Sequence, residues 1–313
     1  MAIDPRTTKL ALIAGGTSGE REISLASGDG AEAALREAGF EPVRLDPANK
    51  EDLATLAREP FDVAFLCLHG RGGEDGSIQG MLEMLGIPYT GPGVWSSATA
   101  IDKSKSKLFY EQAEVPTPAS ISLKEGYDQV QLDYVIARVG LPVVVKPVCE
   151  GSALGVEIIH EEADVAAAVA RTLEIDSSAL VEQYVAGDEI TVAVLGNDDP
   201  EVLPVIQIVP RNSFYDFDAK YAPGGSEHIC PAPLSEELTA RAQELGIAAH
   251  KALECTGMSR TDMIIDASGA VWVLETNTIP GMTQTSLLPD AARAAGMSFP
   301  ELCIKLIEYA LEA

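Results

Sequence analysis

Leu10-Ala11-Leu12-Ile13-Ala14-Gly15-Gly16-Thr17-Ser18-Gly19-Glu20 is a short apolar run that breaks into a glycine-rich loop. An unbroken apolar run of this length, bounded by glycine, reads as a strand buried on both faces. An alanine-rich stretch follows to Ala38 and stops at Gly39, as a helix does. Val63–Leu68 is a second buried strand, and it ends in His69-Gly70-Arg71-Gly72-Gly73-Glu74-Asp75-Gly76. Strand, crossover helix and parallel strand are the signature of an open α/β sheet. Such sheets bind ligands in the loops at the carboxyl ends of their strands, where both glycine loops fall.

Outward from this start, the chain reads as three units. Residues 1–92 form the Rossmann-like open sheet, and residues 93–186 carry a strand–glycine loop–strand pattern around Lys146. Residues 187–313 hold alternating strands, an irregular segment at 211–231, a helix near 235–253, a hairpin and an amphipathic helix near 299–311.

Composition bounds the function. The chain has 313 residues and is 46% hydrophobic, yet no apolar run approaches the ~20 residues needed to span a bilayer. The opening residues have neither the basic start nor the apolar stretch of a signal peptide, so a soluble cytoplasmic protein is expected. Five dispersed cysteines with no C-x-x-C pair fit reduced thiols. The net charge of −26 repels nucleic acid and anionic membrane, so neither is expected as a partner. It also repels nucleotide phosphates, so a nucleotide site must gather local cations. Lys103, Lys146, Lys220 and Arg260 are the candidates.

The hairpin carries the sharpest local signal. Arg260-Thr261-Asp262-Met263-Ile264-Ile265-Asp266 reads as one strand, Ala267–Ala270 as the turn, and Val271-Trp272-Val273-Leu274-Glu275-Thr276-Asn277 as the return. If Asp266 pairs with Val271, Asp262 falls opposite Glu275 and Arg260 opposite Asn277. Period-two alternation then puts all four side chains on one face. Facing carboxylates destabilise a sheet unless a cation bridges them, and an all-oxygen set suits Mg²⁺. The alternative is a solvent-facing acidic hairpin.

Two further segments suit a nucleotide. Lys146 ends an apolar strand and precedes Cys149-Glu150-Gly151-Ser152-Ala153-Leu154-Gly155, a loop whose N–H groups could cover a polyphosphate. No Walker A loop and no protein-kinase elements accompany it. Taken alone, the lysine could equally snorkel from a buried strand. Leu180–Val185 reads as a strand able to present its backbone to adenine, with Glu189 beyond it for a ribose; an ordinary strand and turn is the plainer reading.

Taken in order, these segments resemble the D-alanine–D-alanine ligases over nearly the whole chain. The likeness is carried by Gly15–Ser24, His69–Gly76, Asp102-Lys103, Lys146-Pro147 with Glu150-Gly151-Ser152, Phe214-Tyr215-Asp216 with Ala219-Lys220-Tyr221, and Glu275-Thr276-Asn277 through Thr283. The resemblance implies an ATP-grasp fold of three α/β domains and ATP-dependent joining of two D-alanines through an acyl phosphate, for peptidoglycan precursors. It implies Lys103 and Lys146 on the phosphates, with Glu150 and the Ser152 loop over them. It places Glu182, Gln183 and Val185 at the adenine and Glu189 at the ribose. Asp262, Glu275 and Asn277 match ligands for Mg²⁺ or Mn²⁺, two ions in all.

By the same resemblance Arg260 and the Gly281 N–H stabilise an oxyanion, and Glu20 anchors the first ammonium. Lys220 and Ser286 receive the second substrate's carboxylate and the γ-phosphate region, Leu287 lies with the second substrate, and His69 belongs to the substrate side. Glu20, Ser152 and Tyr221 link the first substrate's site to a lid at 211–231. A homodimer through the N-terminal unit is also implied. Departures are Ala153 for a second serine, Ile279 for a small residue and Gln183 for a frequent lysine. A D-lactate- or D-serine-adding ligase and a catalytically silent nucleotide sensor are the alternatives.

Overall fold

The structure is a computed structural model, and it describes residues 3–210 and 226–312. Strands β1 (Leu10–Ile13), β2 (Val43–Leu45) and β3 (Val63–Leu66) form a parallel sheet in the order β2-β1-β3. Helices α1 (Arg21–Glu37) and α2 (Lys50–Arg58) make the crossovers, as the opening run predicts. Every residue of β1 and β3 is buried. Helices α3 (Ser77–Leu85), α4 (Val94–Ile101) and α5 (Lys103–Gln112) follow; Asp102 caps α5 by accepting the Lys105 N–H.

A second, antiparallel sheet has the order β4-β7-β5-β6, from β4 (Ser120–Lys124), β5 (Val143–Pro147), β6 (Glu157–Ile159) and β7 (Ser178–Gln183). Helices α6 (Gln129–Val139) and α7 (Glu162–Ile175) cover one face. Leu132, Val135, Val165 and Val169 pack there against Val143, Val145 and Val181. The other face is left for the cleft.

The third sheet runs β11-β10-β8-β12-β13 with β9 beside β8. Its strands are β8 (Gly187–Leu195), β9 (Glu201–Val202), β10 (Ile206–Pro210), β11 (Ser226–Ile229), β12 (Met258–Asp266) and β13 (Val271–Asn277). Helix α8 (Glu236–Ala252), capped by Ser235, packs under β8, β12 and β13. Helices α9 (Leu287–Ala294) and α10 (Phe299–Glu312) complete the chain. Leu302, Cys303, Leu306 and Ile307 of α10 share one core with Leu10, Ile13, Leu35 and Phe65, so α10 closes the first sheet.

The hairpin differs from expectation at its turn. Ile265, not Asp266, pairs with Val271, because the Asp266 carboxylate is drawn into the turn, accepting the Ser268 and Ala270 N–H groups and the Trp272 indole N–H. A bulge between Asp262 and Met263 on the paired strands then shifts the register back. Beyond it Asp262 lies opposite Glu275, and Arg260 opposite Asn277.

Candidate active site

Two cavities open between the sheets and meet at the hairpin. One, of about 310 Å³, lies between the second and third sheets. The other, of about 420 Å³, lies between the hairpin, the Gly151-Ser152 loop and the glycine loops of the first sheet. Asp262 and Glu275 line both.

Asp262 is 5% exposed and accepts four hydrogen bonds. Its Oδ1 accepts from Thr191 Oγ1 (2.6 Å) and Arg260 Nε (3.1 Å), and its Oδ2 from Arg260 Nη2 (3.0 Å) and Asn277 Nδ2 (3.1 Å). Glu275 Oε2 lies 3.1 Å from Lys103 Nζ, which also donates to the Glu150 carbonyl at 2.8 Å. Burial lowers Lys103, but the Glu275 carboxylate more than offsets this and holds the ammonium above its ordinary value. Protein cations thus face the paired carboxylates. Such pairing is what a cross-strand Asp/Glu pair requires of its surroundings.

The smaller cavity is lined by Lys103, Lys146, Glu150, Glu182, Gln183, Val185 and Glu189, with Val144, Val156, Ile264 and Leu274 as apolar walls. Lys146 Nζ lies 2.7 Å from Glu182 Oε1. Gln183 is exposed, its N–H donating to the Ala119 carbonyl, and Glu189 stands in β8 opposite Ile208 and Ile264.

The larger cavity gathers Glu20, His69, Ser152, Arg260, Gly281, Ser286 and Leu287. Ser152 Oγ donates to Glu20, joining the second sheet's loop to the first sheet's loop. Gly151 makes this approach feasible, since a Cβ there would sit 2.8 Å from Glu20 Oε2. His69 Nε2 meets Ser27 Oγ at 2.9 Å, and the same hydroxyl accepts the Met282 N–H at 3.2 Å. Burial, then the Arg260 charge, lower His69 to about 4, so it is neutral at pH 7. Ser286 Oγ contacts Thr283 Oγ1 at 2.7 Å and accepts its N–H at 3.1 Å. Lys220, Tyr221 and residues 211–225 of the expected lid segment 211–231 lie outside the described residues; residues 226–229 of that segment, expected to be irregular, form β11 by pairing with β10.

Three neighbours escape a reading of sequence alone. Glu74 is half-buried, accepting the Gly70 N–H at 2.9 Å and the Ile279 N–H at 3.3 Å. Burial, then Glu20, push it up to about 8. Its signal was an acid inside a glycine loop. Arg71 reaches across to the second sheet, with Nη2 2.9 Å from Asp176 Oδ1 and Nε 3.3 Å from Glu150 Oε1; Asp176 Oδ2 accepts the Cys149 N–H at 2.8 Å. No local pattern announces that link. Lys107 sits one helical turn beyond Lys103, a spacing that puts both on one face of α5.

The arrangement is a slot with two lysines, several carboxylates and apolar walls, joined through paired carboxylates to a second chamber with both an anionic anchor and a guanidinium. The model of the D-alanine–D-alanine ligase C-terminus matches residues 109–308, and that of the N-terminus matches residues 46–92. A D-alanine–D-alanine ligase from Syntrophobacter fumaroxidans is 50% identical over 307 residues, covering 97% of each chain. The chain belongs to the D-alanine–D-alanine ligase family.

The crystal structure of the D-alanine–D-alanine ligase from Bacillus anthracis covers 98% of both chains with a TM-score of 0.86 at 35% identity. The same enzyme complexed with ATP superposes with a TM-score of 0.84. The fold of the chain is therefore the ATP-grasp fold of this family. All five cysteines are free, Cys67, Cys255 and Cys303 being buried. No helix among the described residues is long and apolar enough to cross a membrane.

Proposed function

We propose that the chain is an ATP-dependent ligase that joins two D-alanines into D-alanyl-D-alanine for peptidoglycan precursor synthesis in the cytoplasm. The observation that carries this reading is the junction: Asp262 and Glu275 line both the slot suited to a nucleotide and the chamber suited to amino acids. No observation favours a D-lactate or D-serine acceptor or a silent sensor.

The slot takes ATP, with adenine near Glu182, Gln183 and Val185, ribose at Glu189, and phosphates under Lys103, Lys146, Glu150 and the Ser152 loop. The γ-phosphoryl group passes to a carboxylate oxygen of the first D-alanine, giving an acyl phosphate and ADP. The second D-alanine, having lost a proton from its ammonium, attacks the carbonyl. The C–O bond to phosphate then breaks and inorganic phosphate leaves with its electron pair. Arg260 and the Gly281 N–H serve the oxyanion that forms between these events. Glu20, held by Ser152, anchors the first ammonium, with neutral His69 beside it. Ser286, Leu287 and Lys220 receive the second substrate, and Tyr221 completes the link to the lid.

Asp262, Glu275 and Asn277 form an all-oxygen donor set on one face of the hairpin, which fits Mg²⁺ or Mn²⁺, two ions in this reading. A divalent ion bound there would neutralise charge on the transferring phosphoryl group. Residues 1–92, 93–186 and 187–313 are taken as the three working units, and two chains as a homodimer through the first. Light scattering showing a monomer at micromolar concentration would count against the dimer.

The decisive assay incubates the purified chain with ATP, MgCl₂ and D-alanine and follows phosphate release and dipeptide by mass spectrometry. Dipeptide from D-alanine alone supports the assignment. Release that appears only after D-lactate or D-serine is added would overturn it, as would no release at all.

A further inference from the structure

Behind the nucleotide slot lies a buried cation with no role in the reading above. Lys107 has a side chain only 3% exposed and does not line the slot; its ammonium meets Glu182, which does. Lys107 Nζ lies 2.6 Å from Glu182 Oε2, while Lys146 Nζ lies 2.7 Å from Oε1. Lys107 also donates to Thr117 Oγ1 at 2.6 Å and to the Pro118 carbonyl at 3.3 Å. Thr117 Oγ1 in turn donates to the Val273 carbonyl in β13 at 2.8 Å. The ammonium is thereby tied both to the carboxylate and to the third sheet.

Stability alone does not account for two ammoniums on one buried carboxylate. Dry ion pairs are often no more stable than well-packed apolar residues, and here the second ammonium adds unbalanced charge. What the pair of cations does accomplish is to grip Glu182 from both sides. Burial raises Glu182, and Lys107 and Lys146 more than reverse this, holding the carboxyl below its ordinary value. An ionised carboxylate only accepts hydrogen bonds, and it has lone pairs to spare beyond two cations.

We propose that Lys107 is a positioning residue for base selection. It fixes Glu182 as a rigid, acceptor-only contact in the nucleotide slot, favouring a purine triphosphate with an exocyclic amine over one with a carbonyl at that place. The inference rests on the ATP reading of the slot. An amine donates to the fixed anion, whereas a carbonyl oxygen is set against it. Lys107 also leaves one net positive charge in the triad after Glu182 is neutralised, so Lys146 is not claimed by Glu182 alone and stays available to phosphate.

The test compares ATP with inosine triphosphate, which differ in this group, in the wild-type chain and in Lys107→Met, Lys107→Gln and Lys107→Arg. Steady-state kinetics give kcat and KM, and calorimetry gives Kd for ADP and IDP. A wild-type preference for ATP of about 10- to 100-fold is expected, the factor carried by a hydrogen bond to a charged group. Lys107→Met should lose most of that preference through KM and through Kd for ADP, while Lys107→Arg keeps it. If Lys107→Met does not fold, Lys107→Gln, which retains a donor toward Thr117, carries the comparison.

A folded Met or Gln variant as selective as the wild type would overturn the proposal, leaving Lys107 a structural residue seen only in the melting temperature. A wild-type chain that does not distinguish the two triphosphates would also overturn it. A wild-type chain that turns over neither would instead remove the ATP reading itself, and this inference with it.

Discussion

Replacing Asp262 by Asn separates the structural role of this side chain from its proposed metal role. The carboxylate accepts four hydrogen bonds, two of them from the Arg260 guanidinium. An amide can keep only the oxygen-side contacts. In either orientation its NH₂ faces a guanidinium nitrogen of Arg260. With the amide nitrogen at the Oδ2 position, the Asn277 contact and one Arg260 contact are lost. Both are bonds to an ionised carboxylate, worth about 1.5–3 kcal/mol each, together about 3–6 kcal/mol at a site this dry. At roughly 2 °C per kcal/mol for a chain of this size, the melting midpoint should fall by about 6–12 °C. Calorimetric titration of ADP at increasing Mg²⁺ supplies the second readout. Affinity should rise with Mg²⁺ in the wild type and stay flat in Asp262→Asn. An unchanged midpoint would refute the hydrogen-bond argument. An unchanged Mg²⁺ dependence in a folded variant would refute the metal role.

Glu74→Gln tests the acid of the second glycine loop. Because the folded protein holds this proton up to about pH 8 against an ordinary 4.5, its stabilising contribution is complete below about 4.5 and is lost as pH rises to about 8. The urea midpoint of the wild type relative to Glu74→Gln should therefore decline across that window, and parallel curves would rule the effect out. Arg71→Ala should cost at most about 1 kcal/mol, since Arg71 is 57% exposed. It should nevertheless speed amide exchange at Cys149–Gly155; unchanged exchange there would mean the Arg71–Asp176 link does not hold the loop. Gly281→Ala places a Cβ 2.8 Å from Ser286 Oγ, so that hydroxyl must shift. The expected result is a raised KM for D-alanine with the melting midpoint nearly kept, and a normal KM would show that Ser286 is not needed where it stands.

Much of this site was readable where a side chain's meaning is local. The pairing of Asp262 with Glu275 follows from alternation along two strands, and it survives although the turn was misread by one residue. Asp266 has two acceptor oxygens that bind turn N–H groups better than a ladder position would, and a bulge near Leu274 restores the count. Neither event leaves a pattern in the letters, because both depend on how the hairpin packs against strand β8 and helix α8. Lys107, Asp176 and Glu74 were missed for a related reason. Their significance lies in a partner 75, 105 and 205 positions away (Glu182, Arg71 and Ile279), which only packing brings near. The helical spacing of Lys103 and Lys107 was the one local clue.

Helix α10 has a bearing on how the protein is made. Its Leu302, Leu306 and Ile307 fill the core of a sheet whose strands lie within residues 10–66. During synthesis at about 5–20 residues per second, that sheet emerges many seconds before the helix that covers it. The nascent chain must therefore carry an oily surface until residues 299–312 have been made. Holdase chaperones, which bind such surfaces, are expected to matter more to the yield of this protein than its final stability would indicate.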